Sequence, residues 1–428
     1  MIRLKPLISE TIKCPRCQSS LPGTILWQGI HVCLESKCEH CESLITVDLP
    51  VGHATYFPFT VSIPDNGIYG EPKAVNWLGR PLLDSLNNPN DDPAITLKVG
   101  SRQLHDKVII VNCIDYLYGH ALLKLLNVQR EYEQNQGYSI IVIVQKALRW
   151  LVPEEYVSEV WEVNLPFKNA RSYYPQLNEQ INAELNRCKE VYLSHAYSHP
   201  SSFDISKFTQ INKFDSSNVQ NKRITFIWRE DRFWIKFYNL SRLVQKYPKL
   251  KKFTSPLVTY QKMKVIHLFK QLKKQFPQYE YTIAGLGENG SFPEWIDDMR
   301  VNSFDIESER LTCKVYSESE VVIGVHGSNM LLPSAHAGMS VVLMPQDRWG
   351  NYAQDILFQQ SDSRISAYNY RFLPIELSMR TMLKIIAKQI QGKSHYYLQM
   401  LEDKNEDNNE DNKKNQLKMS NSTLQKQA

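Results

Sequence analysis

A chain of 428 residues, of which 42% are hydrophobic and 11% aromatic, can fill more than one packed core, and its length predicts about two or three domains. The net charge of +5 is small for this length and does not by itself indicate a nucleic-acid surface. No run of about 18 uncharged apolar residues occurs, and Met1–Pro6 lacks the apolar segment of a secretion signal. We therefore expect a soluble, cytoplasmic protein without a transmembrane segment.

Two cysteine pairs lie near the N-terminus, Cys14-Pro-Arg-Cys17 and Cys38-Glu-His-Cys41, with twenty residues between them. This spacing is typical of a zinc ribbon, in which each pair gives two thiolates to one tetrahedral ion. Four thiolates leave the ion no open position, so the expected zinc is structural. Cys33 is a spare thiol, and His31 or His40 are alternative ligands. A redox pair is the weaker alternative, because the βαβ pattern of thioredoxin-like motifs is absent here. Residues 1–50 are the predicted zinc ribbon.

Residues 51–105 are rich in Pro, Gly, Asn and Asp and predict a linker with irregular strands and no chemistry. Residues 106–215 then predict a Rossmann-like domain, because β-branched runs alternate with amphipathic segments. Its predicted strands and helices follow one another in the order Val108–Cys113, Ala121–Glu133, Ser139–Val144, Glu159–Val163, Pro175–Arg187 and Glu190–Leu193.

The first predicted strand is followed by a loop with two ionisable residues, Asp115 and His120. Such loops lie at the carboxyl edge of a parallel sheet, where ligands bind. His120 titrates near neutral pH and Asp115 is a carboxylate, so either is a candidate to take the acceptor's proton; the alternative is a helix-capping role for Asp115 and a packed His120. His195 and His199 are weaker candidates, since Pro200 opposes the helix that a metal pair at this spacing would need.

Residues 222–400 predict a second Rossmann-like domain after a polar linker. Its first strand, Arg223–Trp228, ends in Arg229-Glu-Asp-Arg232, where two guanidinium groups can bind a diphosphate. A surface cluster of ion pairs is the alternative. A basic helix, Pro256–Phe276, and a strand ending at Gly285-Leu-Gly287 follow. The glycines match a dinucleotide pattern only weakly but suit a loop that lines a nucleotide.

The most informative segment is the apolar strand Val321–Val325, followed by His326-Gly327-Ser328-Asn329, a helix, and a second strand, Val341–Met344. Asn329 or Ser328 is expected to cap the helix, whose first amides can bind a phosphate. The alternative is that Gly327 only makes a tight turn and that His326 is a polar residue bonded to the backbone. If both strands are parallel, Arg229 and His326 lie at the same sheet edge. Trp349 offers an aromatic face for a base or a sugar.

Gly-Val-His-Gly before an apolar helix resembles the motif of the family 61 glycosyltransferases, although Ser328-Asn329 replaces the usual Ala-Gly and Met344 the usual Glu. The resemblance covers roughly the last third of the chain. It implies a GT-B fold of two facing doubly wound domains, a nucleotide-sugar donor and no catalytic metal. Arg229, Arg232, Gly285, Gly287 and the turn from His326 to Asn329 are then expected to bind the donor.

On this interpretation the chain is an α/β protein, GT-B-like with an N-terminal zinc ribbon, that moves a sugar to a hydroxyl of a glycan or other acceptor. His120 or Asp115 activates that hydroxyl, and Arg229 stabilises the charge that develops on the diphosphate. Two alternatives remain: a zinc-ribbon nucleic-acid-binding protein, and a non-catalytic relative that binds a nucleotide or sugar. Residues 402–428 have few apolar side chains and are expected to be disordered.

Overall fold

The computed structural model describes residues 1–8, 12–100, 106–200, 202–217, 221–236, 254–287, 289–303 and 305–399. It is a mixed α/β protein with parallel sheets. The chain divides into two compact units. Unit 1 contains residues 1–213, 304–313 and 353–355, and unit 2 contains 214–303, 314–352 and 356–428. The predicted disordered tail, 402–428, lies outside the described residues.

An antiparallel sheet follows the first cysteine pair. Its strands are β2 (Thr24–Gln28), β3 (His31–Lys37), β4 (Leu44–Asp48), β5 (Phe59–Ser62) and β6 (Gly67–Gly70), hydrogen-bonded in that order. Inward-facing residues of this sheet, among them Leu26 and Val61, pack on the helix Arg80–Asn87 through Leu82 and Leu86. The sheet therefore continues past residue 50, where the sequence predicted the end of the zinc ribbon.

The other sheet of unit 1 has the order β1-β11-β8-β9-β10-β7. Its parallel strands are the predicted ones: β8 (Lys107–Asn112), β9 (Ser139–Gln145), β10 (Glu159–Val163) and β11 (Glu190–Leu193). β1 (Ile2–Lys5) and β7 (Leu97–Val99) pair antiparallel at its edges, outside the predicted domain limits. Besides Arg80–Asn87 and the short Pro72–Ala74, the helices of this unit include Tyr118–Leu125, Asn127–Gln134, Pro175–Leu185 and Ile205–Thr209.

Unit 2 contains a parallel sheet in the order β14-β13-β12-β15-β16-β17. The strands are β12 (Arg223–Trp228), β13 (Glu280–Leu286), β14 (Asp297–Val301), β15 (Ser319–Val325), β16 (Met339–Met344) and β17 (Tyr370–Pro374). The helices are Thr254–Gln275, Ile306–Glu318, Leu331–His336, Ser363–Asn369 and 379–399, and the first turns of Ile306–Glu318 belong to unit 1. β12 pairs in parallel with β15, so the expected shared edge for Arg229 and His326 is confirmed.

Apolar side chains fill both sides of this sheet. On one face, Phe226 and Ile323 belong to a core that also includes Phe269 of the long helix. On the other face, Ile227 and Val322 are buried as well. Burial on both faces explains why these strands are continuous apolar runs and not alternating ones. Within the described part of the chain, every helix is too short or too polar to cross a membrane.

Candidate functional site

The carboxyl end of β12 brings two arginines to the turn that follows β15. Arg232 donates through Nη1 to the carbonyl oxygen of His326 at 2.9 Å, and Arg229 donates through Nη1 to Oδ1 of Asn329 at 2.6 Å. The contacts span about a hundred residues of sequence, yet each joins the end of one strand to the end of its neighbour. The two guanidinium groups therefore meet at Gly327.

Gly327 is required at this position. Its φ is +154°, a backbone conformation that residues with a Cβ rarely adopt. A Cβ at this position would lie 2.4 Å from Nη1 of Arg229 and 2.6 Å from Nη1 of Arg232. The two guanidinium groups therefore occupy the space that a side chain at position 327 would need.

Replacing Gly327 with alanine is expected to displace both guanidinium groups and to lower the free energy of unfolding by about 1–3 kcal/mol, through steric overlap and backbone strain. Urea unfolding measures this effect. Gly350→Ala is the matched control, because a Cβ on Gly350 meets no atom within 4 Å. Equal stability of the two variants would contradict the packing role of Gly327.

Arg229 is held on its other side by Asp231, which accepts from Nε at 2.5 Å and also from Nη2. The crowding of protein atoms around it acts to raise the pKa of Asp231, but the hydrogen bonds and the charge of Arg229 outweigh this effect and keep the pKa below its usual value. The Arg229 side chain is only 13% exposed, whereas that of Asp231 is 62% exposed. The carboxylate therefore holds Arg229 from its solvent-exposed side.

Gly285, near the end of β13, and Gly287, directly after β13, have structural partners in unit 2. A Cβ on Gly285 would lie 2.3 Å from the carbonyl oxygen of Trp228, and one on Gly287 would lie 2.4 Å from the carboxylate of Glu230. Glu230 in turn accepts from Nε1 of Trp228 and from the amide of Asn289, both at 3.2 Å. Close packing accounts for both glycines, so their predicted part in donor binding gains no support from these contacts.

The prediction that Asn329 or Ser328 caps the helix after Gly327 is wrong. A short 3₁₀ turn, Ser328–Met330, precedes the helix Leu331–His336, and neither has a side-chain cap. Asn329 binds Arg229 instead, while Ser328 is exposed. His326 is fully buried beneath the turn.

Unit 1 contains a second polar cluster, around Asp115. This carboxylate has no exposed surface and forms an ion pair with Lys124, whose Nζ lies 2.9 Å from Oδ2 and is itself almost fully buried. Nδ1 of His120 lies 3.4 Å from Oδ1, and Nε2 of His53 lies 3.4 Å from Oδ2. The two imidazoles also approach each other, at 3.2 Å between Nε2 of His53 and Nδ1 of His120. Asp115 and His120, the two residues predicted as candidate general bases, are therefore neighbours in the fold.

The charges of this cluster follow from its burial. Burial acts to raise the pKa of Asp115, but the Lys124 ammonium and the hydrogen bonds with His120 and His53 together outweigh it, and the pKa lies well below the usual range. Burial lowers the pKa of His53 to about 4, so that this ring is neutral at physiological pH. The His120 side chain is 29% exposed and is the most accessible member of the cluster. Its position also differs from the expectation, because the helix begins at Tyr118 and includes it.

His53 was missed by the sequence analysis, which found no chemistry between residues 51 and 105. It lies in the 3₁₀ turn Gly52–Thr55, sixty-seven positions before His120, and packs on Trp77 at 4.8 Å between ring centroids. A single histidine in a turn-rich segment carries no sequence pattern, so only the fold could reveal its partner.

The four predicted metal-ligating cysteines converge. Sγ of Cys14 lies 3.6 Å from that of Cys41, Sγ of Cys17 lies 3.5 Å from that of Cys38, and all four lie within 4.8 Å of one another. Tetrahedral zinc thiolates require sulfur separations of about 3.8 Å, which this cluster fits. The cluster can therefore hold a metal ion.

Each cysteine pair is shaped by its own backbone turn. The amide of Gln18 donates to the carbonyl of Cys14 at 2.9 Å, and the amide of Glu42 donates to that of Cys38 at 2.8 Å. Gln18 and Glu42 both adopt positive φ, +63° and +56°. The two turns therefore have the same backbone conformation, and each turn directs its two cysteine thiols towards the same point.

Glu309, a residue of the helix Ile306–Glu318, accepts from Nε1 of Trp150 at 2.8 Å and is buried. Burial raises the pKa of Glu309 to about 7. The protonated form is therefore favoured in the folded state, and its contribution to stability is lost as the pH rises from about 4.5 through 7. Glu309→Gln is expected to raise the free energy of unfolding at pH 8 by about 1–3 kcal/mol and to change it little at pH 5. Chemical denaturation at both pH values measures the difference, and equal effects at the two would contradict the assignment.

No protein-family model matches the chain, and no curated protein matches it. Several solved structures are similar to it at low identity. Heptosyltransferase II of E. coli, which uses ADP-heptose, is 9% identical with a TM-score of 0.36, over 67% of this chain and 99% of its own. E. coli heptosyltransferase WaaC with ADP is 9% identical with a TM-score of 0.39, over 66% and 99%. A chain of the Gap123 glycosylation-associated complex of Streptococcus agalactiae is 10% identical with a TM-score of 0.26, over 90% and 79%. TM-scores this low do not establish a shared fold, so the function of this chain is argued from its own residues.

Proposed function

We propose that this protein is a cytoplasmic, GT-B-like glycosyltransferase that moves a sugar from a nucleotide-sugar donor to a hydroxyl of a glycan or other acceptor, without a catalytic metal. The observation that carries the proposal is the convergence of Arg229 and Arg232 on Gly327 at the ends of two adjacent parallel strands. Ligands of parallel sheets bind at this edge. Two forked cations at one point suit a diphosphate, the leaving group of a nucleotide sugar.

In the proposed donor site, Arg229 and Arg232 bind the diphosphate and stabilise the negative charge that develops as the glycosidic bond breaks. Asp231 holds Arg229 in place before the donor arrives and gives way to the diphosphate. Asn329 orients the same guanidinium from the opposite side. The exposed Ser328 is placed to bind the donor, while the backbone of His326 fixes Arg232. The arginines supply the positive charge that a divalent cation would otherwise provide.

The cluster of unit 1 favours His120 over Asp115 as the general base. Asp115 is fully buried, paired with Lys124 and very weakly basic because its pKa is depressed. His120 presents Nδ1 to Asp115, and no described residue hydrogen-bonds its Nε2. A carboxylate at Nδ1 stabilises the imidazolium that forms when Nε2 takes the acceptor proton. Asp115 is thus a positioning residue in this proposal.

The cysteine cluster is proposed to hold one structural zinc ion. All four ligands are thiols, which favour zinc or iron over the oxygen-binding cations. A closed set of four thiolates has no position for a substrate. The ion would tie the turn before β2 to the turn between β3 and β4.

The test is to incubate the purified full chain with UDP-, GDP-, ADP- and CMP-linked sugars, with and without a mixture of glycans whose hydroxyls can accept the sugar, and to measure release of the nucleotide. Release from one class, not increased by millimolar magnesium or manganese, is the expected result. Tight binding without release would favour the non-catalytic alternative. Salt-sensitive binding of random DNA or RNA, with neither binding nor release of nucleotide sugars, would favour the nucleic-acid-binding alternative.

A further inference from the structure

Arg171 is a cation of unit 1 that the proposed mechanism does not use. It follows the short 3₁₀ turn Phe167–Asn169, which comes after the carboxyl end of β10. β10 is parallel to β9, and β9 is parallel to β8, so Arg171 belongs to the same edge of the sheet as the loop that carries Asp115. Ligands of parallel sheets bind at this edge.

The guanidinium of Arg171 stacks on the ring of Tyr116. Its central carbon lies 3.6 Å from the ring centroid, a separation so short that the two planes are close to parallel. Tyr116 is held in turn by Trp77, whose Nε1 donates to the tyrosine hydroxyl oxygen at 3.1 Å. The backbone is fixed as well, since Nε2 of Gln28 donates to the carbonyl oxygen of Arg171 at 2.5 Å. Both ends of the Arg171 side chain are therefore held in place.

Stacking occupies the face of the guanidinium but not its edge. The five N–H donors of an arginine point outwards in the plane of the group. Among the described residues, no oxygen accepts a hydrogen bond from the Arg171 side chain and no carboxylate pairs with its charge. The residue is half-buried, and of its side-chain nitrogens only Nε is fully closed off from solvent. A partly desolvated cation with unused donors is costly, and an oxyanion at its open edge offsets that cost.

Tyr116 also contacts the proposed general base. The rings of Tyr116 and His120 are nearly perpendicular, with 6.0 Å between their centroids and an interplanar angle of 84°. Arg171 and His120 thus pack on the same tyrosine ring. A mono- or disaccharide is long enough to reach both side chains.

We propose that Arg171 binds an oxyanion of the sugar acceptor, so that the acceptor is an acidic glycan. Its carboxylate or phosphate lies within one or two sugar units of the hydroxyl that His120 activates, and two of its oxygens accept from the planar fork of Arg171. The inference rests on the proposed function for the role of His120. Binding of the anion itself does not depend on sugar transfer, so it is measured separately.

The first test measures binding to the full chain without any donor. The probes are glucose, glucuronic acid and glucose 6-phosphate, titrated at constant ionic strength and followed by ligand-observed NMR. At least one of the two anionic sugars is expected to bind about tenfold more tightly than glucose, and the tighter one identifies the anion as carboxylate or phosphate. Anionic sugars that bind no more tightly than glucose would overturn the proposal, and so would no binding of any probe.

Variants locate the anion. Arg171→Gln is expected to weaken the preferred anionic sugar about tenfold, to the affinity of glucose. Glucose binding should be unchanged, which also shows that the variant is folded. Arg171→Lys keeps the charge and disturbs the packing least, but it loses the fork and is expected to weaken the same sugar as well. Unchanged affinity in both variants would overturn the proposal.

Two control variants accompany them. Lys189→Gln removes the same charge from the opposite, amino-terminal edge of the sheet, where Lys189 is 74% exposed and pairs with Asp106. It should leave every affinity unchanged. Arg229→Ala should leave the anionic sugar unchanged too, because Arg229 belongs to unit 2 and to the proposed donor site. Loss in Arg229→Ala, with none in Arg171→Gln, would place the anion at the donor site and overturn the proposal.

The transfer reaction separates this inference from the proposed function. With the donor that the chain cleaves, Arg171→Gln should raise the KM of an acidic acceptor about tenfold and change kcat little, because Arg171 binds the acceptor away from the reacting hydroxyl. Equal use of neutral and acidic acceptors would overturn the inference and leave the proposed function standing. Binding of the anion at Arg171, without nucleotide release from any donor, would support the anion site and count against the proposed function.

Discussion

Replacing His120 with asparagine is expected to lower the rate of sugar transfer by about 10²- to 10⁴-fold, because the acceptor hydroxyl loses its general base. Asparagine keeps a hydrogen-bonding group beside Asp115 but takes no proton near neutral pH. Donor binding should be unchanged, since the arginines proposed to bind the donor belong to unit 2. The measurements are the turnover number and the dissociation constant of the nucleotide.

His267→Asn is the matched control, because His267 is exposed on the helix Thr254–Gln275 and contributes to neither cluster. Its turnover should equal that of the unaltered chain. Full activity of His120→Asn would contradict the assignment of His120 as the general base. A loss of nucleotide binding together with turnover would instead indicate a structural role for His120.

Removal of the metal ion is expected to have the largest effect on stability. Binding of structural zinc contributes about 10–16 kcal/mol in small zinc-finger peptides, where folding depends on it. Here the antiparallel sheet supports the cluster, so Cys38→Ser is expected to cost a smaller amount, about 4 kcal/mol or more. The two cysteine turns, residues 12–20 and 38–43, should then exchange amide hydrogens faster, while β2 and β3 stay protected, which hydrogen–deuterium exchange detects.

Cys33→Ser provides the control for this change, since Cys33 is buried in the same sheet but lies beside Asp48 and outside the cluster. Elemental analysis should find one zinc ion per chain in the Cys33 variant and less in the Cys38 variant. If the bound metal is iron and not zinc, the identity of the metal would have to be corrected, but the proposed four-cysteine site would remain. A chain without any bound metal, and with equal stability in both variants, would contradict the proposed role of the cysteines.

Strands with β-branched apolar runs could be predicted from sequence because both of their faces are buried. Val321–Val325 and Arg223–Trp228 are examples, and they form β15 and β12. β14 and β17 were missed. β14 begins with two aspartates and has no apolar run, since it lies at a sheet edge where one side remains in solvent.

The polar clusters were predictable only where strand ends placed them. Arg229 and His326 could be assigned to one edge because each follows a strand of the same sheet. The partners of Asp115 could not be predicted in this way. In the sequence, Lys124 resembles an ordinary polar residue of an amphipathic helix, and His53 belongs to an irregular turn. The role of Asn329 was misassigned since capping is a local preference, which the nearby Arg229 overrides in the folded chain.

The central claim is that Arg229 and Arg232 bind a nucleoside diphosphate, and isothermal titration of the unaltered chain, Arg229→Ala and Asp231→Ala with UDP, GDP and ADP tests it directly. We expect one nucleotide to bind the unaltered chain, Arg229→Ala to weaken that nucleotide by about tenfold or more, and Asp231→Ala to bind it at least as tightly, because the competing carboxylate is gone. Binding that is unchanged in Arg229→Ala, or the absence of binding by all three nucleotides, would contradict the claim.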